Sequence, residues 1–235
     1  MLPDLQRGSS RGYEVANDEV SADRHPEPLF LTLPFDARAS LLYSCWHEAL
    51  DIVFGLLGTA LLLLILPFMA LLIYLDSPGP IFCSHERLGF RGKPFRIYKF
   101  RSMQTGVESG GQPIWATKCD KRVTRIGKIL RATHMDELPQ VFNILRRDMS
   151  LIGPRPEREV SASRIAEHNP VYRCRLAVKP GLTGWAQVKF GYGEGDQGQM
   201  KKLQFDLYYI QHRSCRLDIT IILKTLVEVF RFHGR

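Results

Sequence analysis

The chain has 235 residues, 45% hydrophobic and 24% charged, a globular balance that excludes wholesale disorder; its 19 glycines follow no G-x-y period, which excludes collagen. Five scattered cysteines without a C-x-x-C pair exclude a disulfide scaffold, a zinc ribbon and a thioredoxin-type site. The net charge of +8 is uneven: residues 1–50 hold 4 Lys/Arg against 8 Asp/Glu and residues 51–235 hold 28 against 16, so the bulk of the chain should attract polyanions such as nucleic acid, an anionic membrane face or phosphorylated small molecules.

Residues 1–39 carry no long apolar period and read as a mobile tail, and Ser40 to Leu50 as an interfacial helix leading into a membrane segment, so that 40–76 form one unit. Ile52 to Leu75 is a run of 24 residues without a charge. As a helix it would measure about 36 Å, more than a hydrocarbon core of about 30 Å. A buried core helix of that length would be expected to carry some polar residue, and a signal peptide would start earlier behind a basic leader. Pro67 removes one backbone donor and should kink or break the helix. Hydropathy leaves two geometries open: a kinked crossing, or a helix-break-helix that returns to the same face. Asp76-Ser77-Pro78-Gly79-Pro80 stops the run, and Arg87, Arg91, Lys93, Arg96, Lys99 and Arg101 follow closely, which marks this flank as cytoplasmic.

Residues 77–235 then read as a cytoplasmic domain. Short strands with a turn are expected over 81–103, loop over 104–120, a basic helix from Thr124 to Arg131, and another from Asp136 to Arg147 with Pro139 in its first turn. A polar helix follows from Arg158 to His168, Gly-rich loop over 178–200, and helices from Leu203 to Gln211 and Leu217 to Phe232. The last puts Ile219, Ile222, Leu223 and Leu226 on one side, a stripe suited to a core, a membrane surface or a homodimer contact.

Four blocks could carry chemistry. Lys99 and Arg101, two apart in an extended segment, point the same way and could bind two phosphate oxygens, or simply form a solvated basic edge. Arg131 precedes Asp136-Glu137 at a helix start, where carboxylates often only cap the helix. Beside a phosphate site, the same pair could hold Mg²⁺, or one carboxylate could attack phosphorus. Gly153-Pro154-Arg155-Pro156 presents an arginine on a stiff backbone. Lys179-Pro180-Gly181-Leu182-Thr183-Gly184 is a Gly-bearing turn and not a P-loop.

In this order, behind an apolar segment with a Pro, these blocks resemble the bacterial polyprenyl-phosphate sugar-1-phosphate transferases, the monotopic phosphoglycosyl transferases. The likeness runs from about Leu50 to Phe232. It takes in Lys99-Phe100-Arg101-Ser102-Met103, Asp136-Glu137-Leu138-Pro139-Gln140, Ser150 to Pro156, Lys179 to Gly184 and Asp206-x-x-Tyr209. It implies an α/β, mainly helical, membrane-associated fold: a re-entrant membrane helix broken at Pro67, then a compact cytoplasmic catalytic domain with short strands and amphipathic interfacial helices. It implies a UDP-sugar donor, Mg²⁺, an undecaprenyl phosphate acceptor and a place in the bacterial inner membrane, at the first membrane step of exopolysaccharide, O-antigen or glycan assembly. In that scheme Asp136 attacks the sugar-bearing phosphate and releases UMP, and Glu137 assists with metal or proton handling. Lys99, Arg101, Arg131 and Arg155 bind phosphates, with Lys179, Asp206 and Tyr209 in the substrate site. The chain resembles the family's minimal form. It departs from the usual pattern at Leu66, where Ser is common, at His47 and Glu48, where a basic pair is common, and at His85, where Gln is common. Two rivals remain: a UDP-releasing membrane glycosyltransferase, and a basic membrane-anchored scaffold. Sparse aromatic interleaving among the basic residues argues against nucleic acid as a partner.

Overall fold

The computed structural model describes residues 40–104, 120–190 and 195–230. The expected tail over 1–39, most of the 104–120 loop, residues 191–194 of the 178–200 loop and the last two residues of the helix expected to Phe232 lie outside these residues. The described part is mostly helical, with two small sheets.

Helix α1 (Leu41–Asp76) opens on Ser40, whose side chain accepts from the Tyr43 amide. Its 36 residues span about 54 Å at 1.5 Å per residue. It is the one described helix long and apolar enough to cross a membrane. The expected break at Pro67 does not occur: the helix runs through unbroken. Proline removes a single donor, and packing on both sides of it clamps the helix, since Leu62 precedes it and Met69 and Ile73 follow it in one cluster with Phe100, Leu130 and Val141.

A polar and glycine stripe also lines the packed face of α1. The Asp51 carboxylate accepts from Ser150 Oγ (2.8 Å) and the Leu151 amide (2.7 Å). A Cβ at Gly55 would meet Leu145 Cδ2 at 2.5 Å, and one at Gly58 would meet Val141 Cγ1 at 2.6 Å, so a larger residue at either position would have to displace these side chains. At the far end the Asp76 carboxylate accepts from the Ile126 amide (2.8 Å). The opposite face, including Leu57, Leu64, Phe68 and Leu75, is exposed.

Strands β1 (Phe82–Leu88) and β2 (Pro94–Phe100) form an antiparallel hairpin, Cys83 opposite Lys99 and Arg87 opposite Phe95. Arg91 and Gly92 turn it with φ of 55° and 74°. Helix α2 (Arg125–Ala132) is capped by Thr124, whose hydroxyl takes the Gly127 amide at 2.9 Å. The expected helix from Asp136 is instead a 3₁₀ turn, Met135–Gln140, followed by α3 (Val141–Leu145). Pro139 offers no amide hydrogen for an α-type bond in that turn. Asn143 of α3 is fully buried. It accepts from the Tyr98 amide (3.1 Å) and donates to the Arg96 carbonyl (2.7 Å), which locks α3 to β2.

Strands β3 (Ser150–Ile152) and β4 (Gly181–Thr183) pair in parallel. Between them lie α4 (Glu159–His168), matching the expected polar helix, and a 3₁₀ stretch, Pro170–Ala177. Part of the expected 178–200 loop is helical: α5 (Trp185–Phe190) and the start of α6 (Gly195–Gln211). Helix α7 (Cys215–Phe230) closes the described chain. The α1 start is held to α6 and α7 by hydroxyl and carboxylate contacts of Tyr43 with Tyr209 (3.2 Å) and Asp218 (3.3 Å).

Candidate active site

The 3₁₀ turn after α2 presents the two adjacent carboxyls. His134, in left-handed backbone with φ 57°, reverses the chain out of α2, and the Glu137 amide returns to its carbonyl at 3.1 Å. Lys99, near the end of β2, reaches Glu137 Oε1 with Nζ at 2.7 Å. Arg155 reaches the same oxygen with Nη2 at 2.6 Å. Arg131, in the last turn of α2, donates from Nε to Ser102 Oγ (2.9 Å) and lies close enough to act electrostatically on Asp136.

Asp136 is buried at 7% exposure, and no described residue donates a hydrogen bond to its carboxylate. Burial pushes its pKa above the ordinary aspartate range; Lys99 pulls against that and the Glu137 charge adds to it. Burial would raise Glu137 too, but Arg155 and Lys99 outweigh it and hold that carboxyl well below the usual range. The two neighbours are thereby differentiated: one an ion locked between two cations, the other a carboxylate without a donor among the described residues.

The structure thus brings Lys99, Arg131, Asp136, Glu137 and Arg155 together. It does not bring the other expected site residues to the pair. Arg101 is turned away: its guanidinium donates to the Pro78 carbonyl (3.2 Å) and the Ser77 carbonyl, closing the end of α1. β2 ends at Phe100, so the shared direction expected for Lys99 and Arg101 is lost. Asp206 is buried and accepts from Arg175 Nε at 2.7 Å. Tyr209 is buried against Tyr43, Asp218 and His47. The substrate-facing position expected for both is replaced by an interior one, because their partners come from distant segments. Lys179 is half-buried and makes no ion pair among the described residues; its carbonyl lies against Gly153.

Arg175 escaped the sequence reading. It donates to Asp206, to the Tyr172 hydroxyl (2.6 Å) and to the Arg155 carbonyl (3.0 Å), so it ties α6 to the segment that aims Arg155. No motif marks it; an unpartnered Asp in the 206–209 block was the available hint.

The profile of the bacterial sugar transferases matches residues 42–232. The chain belongs to the bacterial sugar transferase family. A UDP-N-acetylgalactosamine-undecaprenyl-phosphate N-acetylgalactosaminephosphotransferase of Aeromonas hydrophila is 42% identical over 94% of this chain and 51% of its own length. A UDP-glucose:undecaprenyl-phosphate glucose-1-phosphate transferase of Escherichia coli K12 is 42% identical over 83% of this chain and 42% of its own length. A protein of the same name from Caulobacter vibrioides is 42% identical over 87% of this chain and 77% of its own length. The chain therefore spans about half the length of the first two relatives. The profile takes in α1 together with the acidic pair and its cations.

Proposed function

We propose that the chain transfers a sugar 1-phosphate from a UDP-sugar to undecaprenyl phosphate and releases UMP, the first membrane step of a polysaccharide or glycan pathway. The observation that carries this reading is the buried Asp136 carboxylate, which takes no hydrogen bond from the described residues, beside a Glu137 clamped by Lys99 and Arg155.

In this reading an Asp136 oxygen attacks the sugar-bearing phosphorus. The bond from that phosphorus to the UMP oxygen breaks, and UMP leaves with the bonding electrons. The sugar phosphate stays on Asp136 as an acyl phosphate. An oxygen of the lipid phosphate then attacks the same phosphorus, the bond to Asp136 breaks, and the carboxylate is restored. Lys99, Arg131 and Arg155 offset the charge of the approaching diphosphate, and Glu137 holds Lys99 and Arg155 in place. Burial excludes water that would otherwise hydrolyse the acyl phosphate.

Mg²⁺ belongs to the reading. The residues fit an ion that takes one or two carboxylates and completes its shell with water and phosphate: Asp136 accepts no hydrogen bond from the described residues, and Lys99 and Arg155 both meet Glu137 at Oε1. Asp136 and Glu137 would hold it, and it would supply charge neutralisation on the donor diphosphate.

The reading also puts both ends of α1 on the cytoplasmic face of the inner membrane. Asp51 near one end and Asp76 at the other bond to the same folded body, and packed residues run from Tyr43 to Ile73. A straight perpendicular crossing would drag that body, with its polar groups, into hydrocarbon. Full chain in detergent, given UDP-sugars, Mg²⁺ and undecaprenyl phosphate, should release UMP, and Asp136→Asn should abolish release while Lys224→Gln does not. Release of UDP in place of UMP would make the chain an ordinary glycosyltransferase.

A further inference from the structure

The cations around the carboxyl pair are held in different ways. Lys99 and Arg155 each meet the Glu137 carboxylate, so their charge is answered within the protein. Arg131 meets a neutral oxygen instead. Its Nε donates to Ser102 Oγ at 2.9 Å, and among the described residues its side chain makes no other hydrogen bond and no ion pair. Asp120, which lies within electrostatic reach of Arg131, is taken by Arg122 through Nε (2.8 and 3.0 Å). Backbone bonds fix where Arg131 stands: its carbonyl accepts from the His134 amide (3.1 Å), and the His134 carbonyl accepts from the Glu137 amide (3.1 Å). The half-buried Arg131 thus brings its Nη nitrogens to the surroundings of Asp136 with no carboxylate already bound to them.

Ser102 is itself held from several sides. It is buried just past the end of β2, the strand that carries Lys99. The Arg101 amide before it donates to the Ile81 carbonyl (2.8 Å), the Thr124 amide donates to its own carbonyl (3.1 Å), and the Gln104 amide beyond it donates to the Arg122 carbonyl (2.9 Å). A Cβ at Gly127 would stand 2.1 Å from the Ser102 carbonyl oxygen, a backbone atom that cannot swing aside, so α2 lies directly against this segment. The hydroxyl is therefore a fixed point between β2 and α2, the elements that supply Lys99 and Arg131. An arginine gripped at Nε keeps the fork of its Nη nitrogens, the geometry that pairs with two phosphoryl oxygens. A long side chain set in place beforehand loses less entropy when the phosphate arrives.

We propose that Ser102 is a positioning residue: it holds Arg131 by Nε so that the Nη pair meets the oxygens of the phosphoryl group transferred at Asp136. The identity of that group rests on the transferase reading.

The test is a double-mutant cycle on UMP release by the full chain in detergent, with UDP-sugar, Mg²⁺ and undecaprenyl phosphate. Ser102→Ala takes away only the hydroxyl and leaves the backbone bond from Thr124, so Tm should stay close to that of the unaltered chain. The variant should lower kcat/KM for the UDP-sugar by about 10-fold, the scale of one lost hydrogen bond to a charged group. Arg131→Gln should cost about 10²-fold, as loss of a donor to the transferred group does. Adding Ser102→Ala to Arg131→Gln should then change kcat/KM by no more than about 2-fold, because the hydroxyl has no guanidinium left to hold. Losses that multiply in the double variant, as a packing defect at Ser102 would give, or full activity in Ser102→Ala, would overturn the proposal. An unaltered chain that releases no UMP would sink the transferase reading, and the inference with it.

Discussion

Asp136 and Glu137 are adjacent in sequence yet meet different surroundings: Lys99 and Arg155 close on Glu137, while Asp136 faces no donor among the described residues. Glu137 is held below the ordinary glutamate value of 4.5, so its contribution to stability is complete above that pH and is lost as pH falls toward the folded value. Asp136 is held above the ordinary aspartate value of 3.8, so it favours the folded state most below that pH, and the advantage disappears as pH rises through the raised value. Glu137→Gln removes the anion that helps push Asp136 up and frees two cations to face it. The acid limb of the kcat/KM profile should therefore move to lower pH, even as the rate falls by about 10²-fold or more. An acid limb that stayed put or moved upward would refute this account of the pair. The same substitution should cost about 1–2 kcal/mol in urea unfolding at neutral pH, discounted because Lys99 and Arg155 are partly exposed. Lys99, Arg131, Asp136, Glu137 and Arg155 were legible in sequence because each sits in a short contiguous block. Arg101, Asp206 and Tyr209 were not, because their direction is decided by Ser77, Arg175 and Asp218, partners that no local pattern announces.

At the scale of elements, the long apolar helix, the hairpin, α2, α4 and α7 follow from periodicity and capping residues. The α5–α6 region was hidden by its glycines, and the three-residue parallel strands carry too few residues to show a period. Pro67 misleads for a different reason: it weakens a helix locally, but contacts on either side decide whether the helix breaks. The link from α6 to Arg155 is a buried ion pair, Arg175 with Asp206, at side-chain exposures of 6% and 3%. Removing one partner leaves the other charge unmatched, so Asp206→Asn should destabilise the fold by about 3–5 kcal/mol, while joint replacement as Arg175→Met with Asp206→Leu should recover much of the loss. Thermal unfolding of the two variants checks this. A direct substrate ligand would behave otherwise, since Asp206→Asn would then cut substrate affinity and leave Tm in place.

At the scale of the molecule, one face of α1 packs on a basic folded body and the other offers Leu, Ile and Phe to its surroundings, with Ile219, Leu223, Leu226 and Val227 of α7 also exposed. Cys45 and Cys215 are exposed at the starts of α1 and α7, on either side of the apolar run in sequence. In single-cysteine versions, a membrane-impermeant maleimide should label both in inverted vesicles and neither in intact spheroplasts; labelling of Cys45 from outside would mean a crossing helix. The basic balance of residues 51–235 suits such a position, where membrane face, donor and acceptor are all anionic. The measurement that bears most directly on Asp136 as the group that carries the sugar phosphate is mass spectrometry of the full chain, quenched after exposure to UDP-sugar and Mg²⁺ and before any lipid acceptor is added. The account predicts a sugar-phosphate adduct on the peptide containing Asp136 and its disappearance when undecaprenyl phosphate follows. Full turnover with that peptide unmodified at every quench time would contradict it.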